Sequence, residues 1–154
     1  MQVGRMVKFI SGQKLQENGK RKSSHMFTSK KEKWKFLLKD YASELKIAAD
    51  SSGMGVAQNM IIHDFNEQPH FRKTSFQYRA LCELDGKLCI IQSNQSVKYS
   101  DFVDMLKETG VKHALYLDMG GWNHSWYRKW DNSKPTYIKN NPHNYYTNWL
   151  TFYK

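Results

Sequence analysis

The run from Asp118 to Tyr127, DMGGWNHSWY, holds the densest collection of chemically capable side chains in the sequence. It follows an apolar stretch, so Asp118 is expected at the tip of a β-strand. There the strand fixes the carboxylate, and Gly120 and Gly121 let backbone N–H groups approach a ligand closely. An aspartate that merely caps a turn gives the same pattern. Trp122, Asn123, His124, Ser125 and Tyr127 add rings, an amide, an imidazole and hydroxyls. Rings stack on the flat face of a sugar or base while polar groups read its edges. Trp126 and Trp130 also fit core positions on a following strand, and His124 fits a solvated loop as well as a general acid or base.

Other positions pose the same choice. Arg79 interrupts the apolar run FQYRALCEL, where a guanidinium is costly unless it is paired, meets an anion or faces outward. Gln58 and Asn59 sit in another apolar segment, and buried amides need hydrogen-bonding partners that a ligand can supply. Glu83, Asp85 and Glu108 read as turn or surface carboxylates, so no second catalytic acid stands beside Asp118. A conventional glycosidase uses two. The six histidines are scattered without ligand-type spacing, and no metal site or cofactor is expected.

The elements that must position these residues are strands and two main helices, which predicts an α+β fold with a mixed β-sheet. Residues 5–28 suggest strands or a hairpin. Ser29 and Glu32 match a capping box, yet Trp34, Phe36 and Leu38 alternate as in a strand. Tyr41, Leu45 and Ala48 share a helical face over residues 39–49, and Gly53 and Gly55 end it. Residues 56–62 predict a strand. Residues 76–84 and 87–92 predict a hairpin around Asp85-Gly86, since glycine accepts the positive φ of a tight turn. Ser100 is expected to cap a helix to Thr109, with Phe102, Val103 and Leu106 as its buried stripe and Gly110 as its stop. Residues 111–118 and 147–153 read as strands.

At 154 residues the chain has the length of one domain, 1–154, and 40% hydrophobic residues exclude a disordered chain. No apolar run suits a membrane span or a signal peptide, so a cytoplasmic location without membrane partners is expected. Cys82 and Cys89 flank the Asp-Gly turn; they either face each other across the hairpin or are simply reduced core thiols. The formal charge of +10 is concentrated in residues 1–46, in KRK and KKEKWK. It fits a solvated basic face, and next an attraction to phosphorylated ligands or nucleic acid. No helix-turn-helix, zinc finger or RNP-like sequence accompanies it.

Three runs together resemble the phosphodiester glycosidase family: YRALCELDGKLCIIQS, SDFVDMLKETGVKHALYLDMGGWNHSWYR and TNWLTFY, with GMGVAQNMII upstream. The likeness covers residues 53–154, leaving 1–38 as a divergent basic segment. Family chemistry includes removal of N-acetylglucosamine from a phosphodiester link to mannose. The resemblance implies that Arg79 contacts a ligand phosphate and that Asp118, with Gly120 and Gly121, matches the family's Asp-Gly-rich motif. Met119 stands where many members have glycine, and Trp122-Asn123-His124 precedes Ser125 where many have an earlier serine. Asn148 matches a polar residue before the last strand.

The expected reaction is hydrolysis of a glycosidic bond to phosphate in a sugar phosphodiester or nucleotide-like substrate. Arg79 and backbone N–H groups near Gly120 and Gly121 would stabilise phosphate charge. Asp118 would serve as nucleophile, as base for water or as orienting carboxylate. Trp122 or Tyr127 would stack on the ligand, with Asn123, Ser125 and Gln58 holding hydroxyls. Two other readings use the same features: a non-catalytic binder that sequesters a phosphorylated sugar or nucleotide, and a basic nucleic-acid-binding protein.

Overall fold

A computed structural model of the chain describes residues 5–6, 25–30, 33–38, 54–69, 74–117, 124–127, 133–140 and 152–153. The chain divides into two compact units, residues 1–117 with 148–154, and residues 118–147.

The centre of the first unit is a five-stranded sheet. Its members are β5 (Met60–His63), β6 (Asn66–Glu67), β8 (Arg79–Leu84), β9 (Lys87–Gln92) and β11 (His113–Tyr116), in the order β6-β5-β11-β8-β9. A second sheet orders β3 (Lys33–Leu37), β2 (His25–Lys30) and β4 (Met54–Gln58). Short ladders join β1 (Arg5–Met6) to β14 (Phe152–Tyr153) and β7 (Ser75–Phe76) to β10 (Val97–Lys98). The helix α1 spans Tyr99–Glu108. The fold class is α+β. The expected mixed sheet is corrected, because every described pairing is antiparallel. The chain leaves β9, passes through β10 and α1, and enters β11 between β5 and β8, antiparallel to both.

Alternation along the strands sends successive side chains to opposite faces. Ala80, Cys82, Ala114 and Tyr116 face one way, into a cluster with Tyr99, Phe102, Val103 and Leu106 of α1. Leu81, Leu88, Leu115 and Met60 face the other way and pack with Phe36, flanked by Trp34, Leu38 and Leu117. The sheet is therefore covered by a helix on one side and by β3 on the other. Trp34 and Phe36 follow the strand alternation and not the capping box, and Ser29 lies within β2, opposite Trp34.

The Asp85-Gly86 turn forms as expected. Asp85 (φ 50°) and Gly86 (φ 67°) both adopt the left-handed region, which matches the right-handed twist of the flanking strands. Two expected strands are shorter than predicted. Residues 76–84 divide into β7 and β8, because the Tyr78 N–H turns to the Ser93 hydroxyl (2.9 Å) while its carbonyl accepts the Ser93 N–H (2.9 Å). The apolar run 56–62 divides at Asn59, giving β4 to one sheet and β5 to the other. Within β5, Ile61 is a bulge residue, since Ala114 pairs with Ile62 but Leu115 with Met60.

Ser100 is not the N-cap of α1. That position is Lys98, extended and without a side-chain cap bond, and the Ser100 hydroxyl meets Asp101 Oδ1 at 3.0 Å. The other end closes as a Schellman motif. Val111 N–H reaches Leu106 O (3.1 Å), Gly110 N–H reaches Lys107 O (2.9 Å), and Gly110 takes φ 82°. Val111 and Leu106 belong to the same buried cluster, so the cap also turns the chain into β11. The helix expected over 39–49 lies outside the described residues.

In the second unit, β12 (His124–Tyr127) pairs antiparallel with β13 (Thr136–Asn140), with an irregularity between Ser125 and Trp126. No helix among the described residues is long and apolar enough to cross a membrane.

Candidate functional site

Gln58, Asn59 and Arg79 lie near one end of the five-stranded sheet, with Asn59 and Arg79 on opposite sides of β11. Because β5 and β8 both run antiparallel to β11, their first residues lie beside its last ones. Tyr116 N–H donates to Asn59 O at 2.8 Å, and Leu117 N–H donates to Arg79 O at 2.9 Å. Asn59 is the junction between the two sheets, and Gln58 immediately before it pairs with His25 of β2. Gln58, Asn59 and Arg79 are all half-buried.

Arg79 shares its face with Leu81 and Glu83, the face covered by β3. Across the hairpin its register partner is Gln92, on the same face. Gln92 Oε1 accepts from both Arg79 Nε (3.0 Å) and Nη2 (2.6 Å). These two bonds orient the guanidinium fork. Burial pushes the Arg79 pKa down, which identifies the guanidinium as partly stripped of water. A guanidinium held in a fixed fork is the group that suits an anion with several oxygens, such as a phosphate.

The remaining expected residues divide into two groups. His124, Ser125 and Tyr127 lie on β12, opposite Asn140, Lys139 and Thr136. Asp118, Gly120, Gly121, Trp122, Asn123 and Asn148 lie outside the described residues.

The opposite end of the same sheet gathers residues that sequence reasoning did not connect. His113 at the start of β11 is buried, stacked on Phe36 with ring centroids 5.0 Å apart and edge-on to His63 at 4.8 Å. Its Nδ1 accepts the Asp64 N–H (3.2 Å), so the neutral ring carries its proton on Nε2. Burial first, then the neighbouring His63, hold its pKa below the usual histidine value. Glu83 is not a plain surface carboxylate. It is half-buried and accepts the Trp34 indole N–H at 3.0 Å. Around these groups lies an open depression of about 590 Å³, lined by Trp34, Lys35, Phe36, Leu37, Glu83, Lys112 and His113. Among the described residues, no group of three or more His, Cys, Asp or Glu is placed to hold a metal ion.

Gln92 was also missed, although the signal was available: counting outwards from the Asp85-Gly86 turn pairs it with Arg79. The His63–His113 contact has no local signal, because fifty residues separate the two rings and only the pairing of β5 with β11 joins them. Comparison with known proteins finds no match: no family model, no curated protein and no solved structure matches this chain.

Proposed function

We propose that the chain hydrolyses the glycosidic bond to phosphate in a sugar phosphodiester or nucleotide-like substrate, at the sheet end that carries Arg79, within a phosphodiester glycosidase-like fold. The observation that carries this reading is the 2.9 Å hydrogen bond from Leu117 N–H to Arg79 O. Leu117 immediately precedes Asp118 in the sequence, and this adjacency is the support for assigning the aspartate to the same reaction.

The chemistry asks little of a protein acid. A phosphomonoester is already a good leaving group, so the bond between the anomeric carbon and the phosphate oxygen breaks without full protonation of that oxygen. Arg79, oriented by Gln92, offsets the charge that grows on the departing phosphate. Asp118 either attacks the anomeric carbon or takes a proton from the water that does. Gln58 and Asn59, with Asn123 and Ser125, hold sugar hydroxyls, Trp122 or Tyr127 stacks on the ring, and backbone N–H groups of Gly120 and Gly121 bind phosphate oxygens. His124 and Asn148 are further candidate ligand contacts.

The test is incubation of the full chain with a panel of sugar phosphodiesters and nucleotides, with free sugar and phosphomonoester measured separately. Wild-type protein releases both in equal amounts, while Asp118→Asn and Arg79→Ala release neither and remain folded by circular dichroism. Full activity in both variants refutes the assignment. A substrate that binds tightly and is recovered unchanged means that the chain sequesters its ligand and does not turn it over.

A further inference from the structure

We propose that Cys82 and Cys89 form a modification site, a cross-strand dithiol that a low-molecular-weight disulfide such as oxidised glutathione converts reversibly to an intramolecular disulfide. This proposal is independent of the glycosidase reading.

The two residues are direct register partners on β8 and β9. The Asp85-Gly86 turn fixes which kind of pair they make. Leu84 and Lys87 close the two-residue loop as a hydrogen-bonded pair, and the alternation puts Cys82 and Cys89 in the same class two steps further on. The Ser93 N–H to Tyr78 O bond lies on the same alternation further along the hairpin. Hydrogen-bonded partners have Cα atoms about 5.5 Å apart, within the range of roughly 4.4–6.8 Å that a disulfide spans. Both side chains leave the same face, toward α1, where Cys82 is buried and Cys89 packs against the same cluster. The two thiols influence each other, Cys89 raising the pKa of Cys82 and Cys82 lowering that of Cys89.

The environments of the two differ in the way a reactive dithiol requires. Cys89 is half-buried and reachable from solvent, and the Cys82 thiol lowers its pKa. Cys82 is buried, and the Cys89 thiol together with burial raises its own. Cys89 is therefore the attacking thiolate and Cys82 the resolving thiol. In the first step Cys89 sulfur bonds to one glutathione sulfur and the other glutathione leaves as thiolate, taking up the proton Cys89 lost. In the second, Cys82 loses its proton and attacks Cys89 sulfur, releasing the second glutathione as thiol. Two protein thiols are oxidised and one small disulfide is reduced to two thiols. Parallel Cβ directions on one pleat oppose the near-perpendicular twist of a disulfide, which keeps the bond reducible.

The experiment equilibrates the folded full-length chain with glutathione buffers, quenches in acid, alkylates free thiols and reads intact mass and peptide maps. Both thiols should disappear together, with a peptide linking Cys82 to Cys89 that dithiothreitol releases. Cys82→Ser should accumulate glutathione on Cys89 to about tenfold the wild-type level, because the resolving step is gone. Cys89→Ser should leave Cys82 unmodified while the chain is folded. Wild-type protein that stops at glutathionylated Cys89, links to a second chain, or keeps both thiols under excess oxidised glutathione overturns the proposal.

Discussion

Trp34 and Glu83 offer the sharpest test of how β3 is held against the main sheet. The indole N–H meets Glu83 Oε2 at 3.0 Å, and this bond ties β3 to β8 directly. Hydrogen bonds to charged groups contribute about 1.5–3 kcal/mol where water is excluded. Both partners are only half-buried, so the expected coupling is lower, at about 1 kcal/mol. Trp34→Phe removes the donor and keeps a ring against the Phe36 cluster; Glu83→Met removes the acceptor and keeps the stem. Each single variant loses the bond together with its own packing change, and the double variant isolates the shared part. A coupling of about 1 kcal/mol corresponds to about 2–4 °C in Tm for a chain of this size. Urea titration of all four proteins measures it. Strictly additive losses would refute the bond and, with it, the seating of β3 on the face that carries Arg79.

Gly86→Ala should destabilise the chain by about 1 kcal/mol, because a side chain at φ 67° is strained although no atom lies within 4 Å of the added Cβ; chemical denaturation measures the loss. His113 gives a pH signature. Its folded pKa lies below the ordinary value of 6.5, so the unfolded chain takes up its proton first. This contribution to stability is complete above pH 6.5, declines as pH falls through that value, and levels off below the folded pKa. Denaturation midpoints across this window should fall with pH in the wild type and fall less steeply in His113→Phe. Equal slopes would contradict the buried neutral ring.

What the sequence discloses here depends on how local the determining physics is. The hairpin at Asp85-Gly86 and the stop at Gly110 follow from backbone conformations that few residues adopt, and both stand as expected. The buried stripe of α1 is equally local, and Phe102, Val103 and Leu106 form it. The start of α1 misleads, because Ser100 is an apt capping type two residues too late and the helix begins at Tyr99 without a side-chain cap. The run 56–62 reads as one strand because apolar periodicity is blind to which sheet receives each half; only Asn59, a polar residue in an apolar run, marks the junction. For the candidate site, Arg79 was legible as a costly charge in a strand, and Gln92 follows from hairpin register. The proximity of Asn59 and Leu117 to Arg79 depends on β11 inserting between β5 and β8, a tertiary choice that no local pattern encodes.

Phosphorus NMR of a sugar phosphodiester mixed with the full chain tests the central claim most directly. Conversion of the diester resonance to a phosphomonoester, with free sugar appearing in step and both lost in Arg79→Ala, is the expected result. An unchanged diester resonance across the whole panel, or the same conversion rate in folded Arg79→Ala, would contradict it.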